Sequence, residues 1–106
     1  MQENIVLTEA VYYILLSLLQ PLHGYGIMQN VSKISKGRVS LAAGTLYGAI
    51  NSMLEKGWIK ALPGEQSSRK KEYRITENGR IVLENEFNRL RELIRNGRRI
   101  IEEEIK

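Results

Sequence analysis

From Val11 to Leu19 the chain is apolar at almost every position, with Thr8 before it and Pro21 after it. Thr8 is a good helix N-cap and Pro21 a helix stop, so the pattern predicts a helix from Glu9 to about Gln20. Its apolar side chains (Val11, Ile14, Leu15, Leu16, Leu18, Leu19) point in nearly all directions, which calls for burial from more than one side. A chain of 106 residues cannot easily wrap such a helix alone, and a partner chain would cover the rest.

After the short loop PLHG, Ile27, Val31 and Ile34 follow the i, i+4, i+7 spacing of one buried helix face, predicting a second helix over Tyr25–Ser35 that ends at Lys36-Gly37. A third helix is predicted from about Ala42 to Lys56, with Leu46, Ile50, Met53 and Leu54 on one face and Gly57 as its C-terminal stop. Trp58–Leu62 reads as a short strand. In RKKEYRIT, Tyr73 and Ile75 alternate with Lys70, Glu72 and Arg74, which predicts a second strand. The polar turn between them starts at Pro63-Gly64. Thr76 can cap a last helix running nearly to the C-terminus. In it Leu83, Phe87, Leu90, Ile94, Gly97 and Ile101 alternate spacings of four and three, a heptad seam widened by Val82, Leu93 and Ile100.

The order helix, helix, helix, hairpin, long helix predicts a mainly α fold with a small β-hairpin: a winged helix-turn-helix over residues 1–76 and a C-terminal helix over residues 77–106. In such a unit the third helix enters the DNA major groove. That helix carries two glycines, Gly44 and Gly48, each costing about 1 kcal/mol relative to alanine. With Leu46 at zero and 3.6 residues per turn, they fall at about 160° and 200°, opposite the core face. Ser52 and Thr45 lie beside them and Tyr47 flanks them. A face without bulk lets a backbone approach base edges or phosphates closely. Thr45 and Ser52 can hydrogen-bond there, and Tyr47 can reach a phosphate.

Composition sharpens this reading. The formal net charge is +4, and residues 1–76 carry all of it: nine Lys/Arg against five Glu, while residues 77–106 hold seven of each. Such a balance is compatible with an anionic partner. Cysteine is absent, all acids are Glu and His23 is the sole histidine. A lone histidine makes no convincing metal site and reads better as a loop or capping residue; no cofactor is expected. Enzymatic sets such as Ser-His-Asp, paired histidines or a phosphate-binding glycine loop are missing, so an enzyme is not expected. The N-terminus lacks signal-peptide features and the run Val11–Leu19 is too short to span a bilayer, which points to the cytoplasm and away from membranes.

LTEAVYYILLSLL with HGYGI, then GTLYGAI with LEKGWI, then KKEYRITENGR, occur in an order that resembles the PadR-like winged-helix transcriptional regulators of bacteria, over about residues 7–80. The last helix matches that family's dimerisation helix in its short form. Ala42-Ala43 stands where members often have Ser-Pro, and Gly48 where Pro often follows the Tyr. These departures sit on or beside the DNA-facing turn, so base preference is not carried over. The resemblance implies a homodimer that represses transcription, often relieved by a small molecule. Half-sites about one helical turn apart in an inverted repeat would mark its operator in double-stranded DNA.

The candidate DNA-binding residues are therefore Tyr25, Ala43, Gly44, Thr45, Tyr47, Gly48 and Ser52, with Ser68, Arg69, Lys70 and Lys71 at the wing. Tyr25 can touch phosphate or simply pack; Lys33, Lys36 and Arg38 are weaker cases. Candidate dimerisation residues are Val11, Ile14, Leu15, Leu18, Leu83, Phe87, Leu90, Ile94 and Ile101. Tyr12, Tyr13, Trp58 and Phe87 read first as packed core. The alternative is an apolar pocket between the first and last helices of a dimer, suited to a flat aromatic effector. Competing functions are a winged-helix protein–protein adaptor and, more remotely, a small-molecule carrier.

Overall fold

A computed structural model describes residues 5–63 and 71–105. The elements follow the order α1 (Glu9–Ser17), β1 (Leu22–His23), α2 (Gly24–Ile34), α3 (Ala43–Glu55), β2 (Ile59–Leu62), β3 (Glu72–Ile75) and α4 (Glu77–Ile105). The fold is mainly helical with a small antiparallel sheet and a long C-terminal helix, as the hydrophobic pattern predicts.

Two boundaries differ from that pattern. Helix α1 stops at Ser17, short of Pro21, because the chain turns into the sheet: the Leu18 carbonyl accepts from the Ile75 N–H at 2.9 Å. The PLHG segment is not wholly loop. Leu22 and His23 form β1, which pairs antiparallel with β3 (Leu22 opposite Tyr73, His23 opposite Glu72). The hairpin thus gains a third strand, in the order β1-β3-β2. Two residues carry no alternation, so no sequence periodicity could announce this strand.

The core fills the space between α1, α2, α3 and the sheet. Ile14, Leu15 and Leu18 of the α1 region meet Ile27 and Val31 of α2, Leu46, Ile50 and Met53 of α3, and Trp58, Ile59, Tyr73 and Ile75 of the sheet region. Ile34, expected on the buried face of α2, is exposed. Ser35 makes the α2 terminus instead: its hydroxyl donates to the Val31 carbonyl at 2.9 Å and accepts from the Val39 N–H at 2.9 Å. It therefore closes the α2–α3 connection with a buried polar clasp.

Gly79 fixes where α4 departs. A Cβ there would overlap the Trp58 carbonyl oxygen, so only glycine lets the first turn of α4 lie against the sheet. Thr76 caps this helix, accepting from the Gly79 N–H at 3.1 Å and donating to the Gly57 carbonyl at 2.5 Å. Leu83 and Glu86 continue into the core. Glu86 is only 2% exposed. Its carboxylate accepts from the Leu7 N–H at 2.9 Å and from Arg89 at 2.5 and 2.9 Å. The Arg89 hydrogen bonds, with help from Leu7, hold the Glu86 carboxyl below the usual carboxylate range against the opposing effect of burial.

Beyond Glu86 the apolar stripe is uncovered. Phe87, Leu93, Ile94, Ile100 and Ile101 are exposed and Leu90 is half-buried. The expected interface set therefore divides. Ile14, Leu15, Leu18 and Leu83 belong to the chain's own core, while Phe87, Leu90, Ile94 and Ile101 remain outward. On α1 the residues facing grooves beside α4 are Tyr12 and Leu16, joined by Leu19 just beyond the helix; Val11 is half-buried against the core. The near-uniform apolarity of α1 hides this phase, which packing against α2 and α4 sets.

Candidate nucleic-acid interface

Helix α3 buries Leu46, Ile50 and Met53 and turns Ala43, Gly44, Thr45, Gly48, Asn51, Ser52 and Glu55 outward. A Cβ built on Gly44 or Gly48 would meet nothing within 4 Å. Neither glycine packs against a described residue; both leave a bare strip of helix facing away from the core. Ala42 stands at the N-cap without a side-chain cap hydrogen bond, so the first-turn N–H groups of α3 are not covered by the residue that most often covers them.

Tyr47 flanks this strip, 45% exposed. Its ring leans over Gly24 at the start of α2, where a Cβ would overlap the Tyr47 hydroxyl. The contact ties α3 to the N-terminus of α2. His23 caps that N-terminus, its Nδ1 accepting from the Gly26 N–H at 3.1 Å. Burial, and secondarily the nearby Tyr47 phenol, pushes the Tyr73 hydroxyl above the ordinary tyrosine range. Tyr47 therefore stands at the junction of α2, α3 and β3. Tyr25, next to Gly24, is 62% exposed and projects from the same end of α2.

The wing lies beyond this junction. In its ladder Ile59 opposes Ile75, Lys60 opposes Arg74, Ala61 opposes Tyr73 and Leu62 opposes Glu72. Lys60 and Arg74 are both exposed and sit directly across from each other. Like charges in that position oppose strand pairing, and neither makes an ion pair with a described residue. Alternation within β3 marks Arg74 as outward, but the pairing with Lys60 depends on register, which sequence spacing left open. Lys71 is exposed at the base of the tip. Ser68, Arg69 and Lys70, also expected to contact DNA, lie outside the described residues.

The weaker basic candidates part company. Arg38 is held by Glu9 at 2.9 Å and reaches the Tyr13 hydroxyl at 3.4 Å, while Lys33 and Lys36 are exposed. Among the described residues no group of three or more His, Cys, Asp or Glu could hold a metal, and no helix is long and apolar enough to cross a membrane.

A comparison with protein-family models matches residues 14–85 to the transcriptional regulator PadR-like family. The chain belongs to that family. Its members are transcription regulators rather than enzymes, and the match includes α2, α3 and the sheet, which build the face just described, together with the end of α1 and the start of α4. A transcriptional regulator from Clostridium thermocellum superposes with a TM-score of 0.70 at 23% identity, covering 92% of each chain. A PadR family regulator from Eggerthella lenta gives 0.70 at 22% identity, covering 87% of this chain and 80% of that one. Bacillus subtilis PadR, solved in complex with operator DNA, gives 0.59 at 24% identity over 71% of this chain and 45% of its own. No curated protein matches.

Within the single chain the four aromatic residues weighed as a pocket do not line one space, although the Tyr12 and Tyr13 rings lie 6.2 Å apart. Tyr12 and Phe87 line a groove of about 620 Å³ with Leu90, Ile94 and the arginines of α4. Trp58 is buried in the sheet region with the Lys56 ammonium 4.7 Å from its ring centroid, and Tyr13 turns toward Arg38.

Proposed function

We propose that this PadR-like regulator acts as a cytoplasmic homodimer that binds an inverted-repeat operator in double-stranded DNA and represses transcription. The observation that carries the DNA reading is the bare outward strip of α3 beside a wing where Lys60 and Arg74 face each other with no acidic partner among the described residues. Phosphate contacts supply affinity and orientation, and Lys60, Arg74 and Lys71 are suited to that role. The strip of Ala43, Gly44, Thr45, Gly48 and Ser52 is suited to close approach in the major groove.

The dimer reading is supported by α4. Its 29 residues run about 43 Å, and the half beyond Glu86 presents an apolar stripe to solvent. Helices in proteins draw most of their stability from packing of an apolar face rather than from propensity. A two-fold related copy, with α4 laid along the groove beside Tyr12, Leu16 and Leu19, covers the stripe on both chains. On this reading residues 1–76 form the DNA-binding unit and α4 the dimerisation element, its inner end belonging to the core of that unit. A flat aromatic effector fits the same seam between Tyr12 and Phe87, where binding would alter the spacing of the two α3 helices.

The test is a titration of the intact protein against duplexes from the region upstream of its own gene, at several salt concentrations. Affinity falls steeply with salt if several phosphates are neutralised, and Lys71→Ala lowers the slope by about one. An adaptor using the same fold shows no salt-dependent duplex binding even at low ionic strength.

A further inference from the structure

We infer that α3 reads thymine methyl groups and adenine edges, without the arginine or lysine contact that most often reads guanine. This rests on the DNA-binding reading and deepens it by naming the base chemistry recognised.

Guanine is read in the major groove chiefly by Arg or Lys reaching O6 and N7. Helix α3, AGTLYGAINSMLE, contains neither. The cation that follows it, Lys56, lies over the Trp58 ring at 4.7 Å and is directed to the sheet side rather than along the outward strip. The strip itself offers the Ala43 methyl, the Cα surfaces of Gly44 and Gly48, the Thr45 methyl and the short hydroxyls of Thr45 and Ser52. Apolar groups of this size match the C5-methyl of thymine, a contact that needs the close approach the glycines permit.

Asn51 is the one side chain on the strip with an amide, the group that pairs with adenine N6 and N7 through two hydrogen bonds. It is exposed and takes part in no side-chain hydrogen bond with a described residue. Glu55 shares the outward face about 10 Å along the axis from Gly48. Its carboxylate is repelled by phosphates and can only accept from a base amino group, so it offers nothing to the N7 and O6 acceptors of guanine. The strip is thus built against the guanine-directed readout that a cationic recognition helix performs.

The test starts from duplexes that the intact protein selects from a random-sequence library. The selected duplex is remade in two forms: deoxyuridine for every thymidine in the half-sites, which removes only the methyl, and 7-deazaguanine for every guanine, which removes only the major-groove N7. Deoxyuridine is expected to weaken binding about ten-fold or more, and 7-deazaguanine to leave it within about two-fold. Asn51→Ala should fold normally and lose its preference for adenine at one position per half-site by about 5- to 150-fold. A 7-deazaguanine penalty as large as that of deoxyuridine, or a neutral deoxyuridine duplex, overturns the inference while leaving DNA binding intact. Failure to select any duplex, with no salt-dependent binding, removes the functional reading and the inference with it.

Discussion

Replacing Gly48 with alanine should move stability and DNA binding in opposite directions. Gly48 lies in the interior of α3, its backbone is ordinary helix, and a Cβ there meets nothing within 4 Å. The folded protein therefore accepts the methyl without strain, while the unfolded chain loses freedom. The gain is about 0.8–1 kcal/mol from helix propensity, which raises the melting temperature by about 4–8 °C for a domain of this size. Melting must be compared at one protein concentration, because dimerisation shifts the midpoint by mass action. The same methyl extends about 1.5 Å from the strip into the space a base edge would occupy. Losing even one base contact worth about 1–3 kcal/mol weakens operator binding by roughly ten-fold. Urea unfolding followed by circular dichroism reads the first effect and fluorescence titration on labelled operator reads the second. A Gly48→Ala protein that is more stable and binds its operator as tightly as the parent refutes the argument: the glycines would then be tolerated defects. Gly48→Leu extends the test, with specific binding abolished and the fold retained.

Three further outcomes follow from other contacts. Gly24→Ala should destabilise the fold by about 1–2 kcal/mol, because the new methyl displaces the Tyr47 ring; in a Tyr47→Ala background that cost should largely vanish, and equal costs in both backgrounds would sink the pairing. Glu86 has a lowered folded-state pKa, so its contribution is present above the ordinary glutamate value of about 4.3 and is lost as pH falls through the lower folded value. Glu86→Gln should give a shallower fall in stability on acidification and Glu86→Ala a loss of about 1–3 kcal/mol at neutral pH, both readable by urea titrations at stepped pH. Ile94 is 64% exposed in the single chain, so Ile94→Glu should yield folded monomers in sedimentation experiments, whereas Leu15→Glu, at a fully buried core position, should not fold; a parent chain that sediments as a well-folded monomer at micromolar concentration removes the dimer.

What the sequence decided by itself was whatever depends on local periodicity and local chemistry. The 3.6-residue spacing around Leu46, Ile50 and Met53 places Gly44 and Gly48 outward, since a helix maps residue number onto direction without reference to anything else. Alternation does the same for Tyr73 and Ile75 in β3, and Thr8 and Thr76 announce the helix starts because a cap needs only its own hydroxyl and a following N–H. Tertiary structure decided the matters in which one segment answers to another distant in the chain. Which side of the apolar α1 faces inward was unreadable, because every side is apolar; α2 and α4 select Ile14, Leu15 and Leu18 and leave Tyr12 and Leu16 toward the grooves. Strand β1 exists only because β3 supplies its hydrogen-bond partners. The facing of Lys60 and Arg74 is a fact of register. Glu86 shares the exposed-looking pattern of the other α4 glutamates, yet it is buried because the Leu7 N–H arrives from the far end of the chain, with Arg89 one turn away. Direction along a helix is a property of the helix; burial, register and charge pairing are properties of its neighbours, which no local pattern contains.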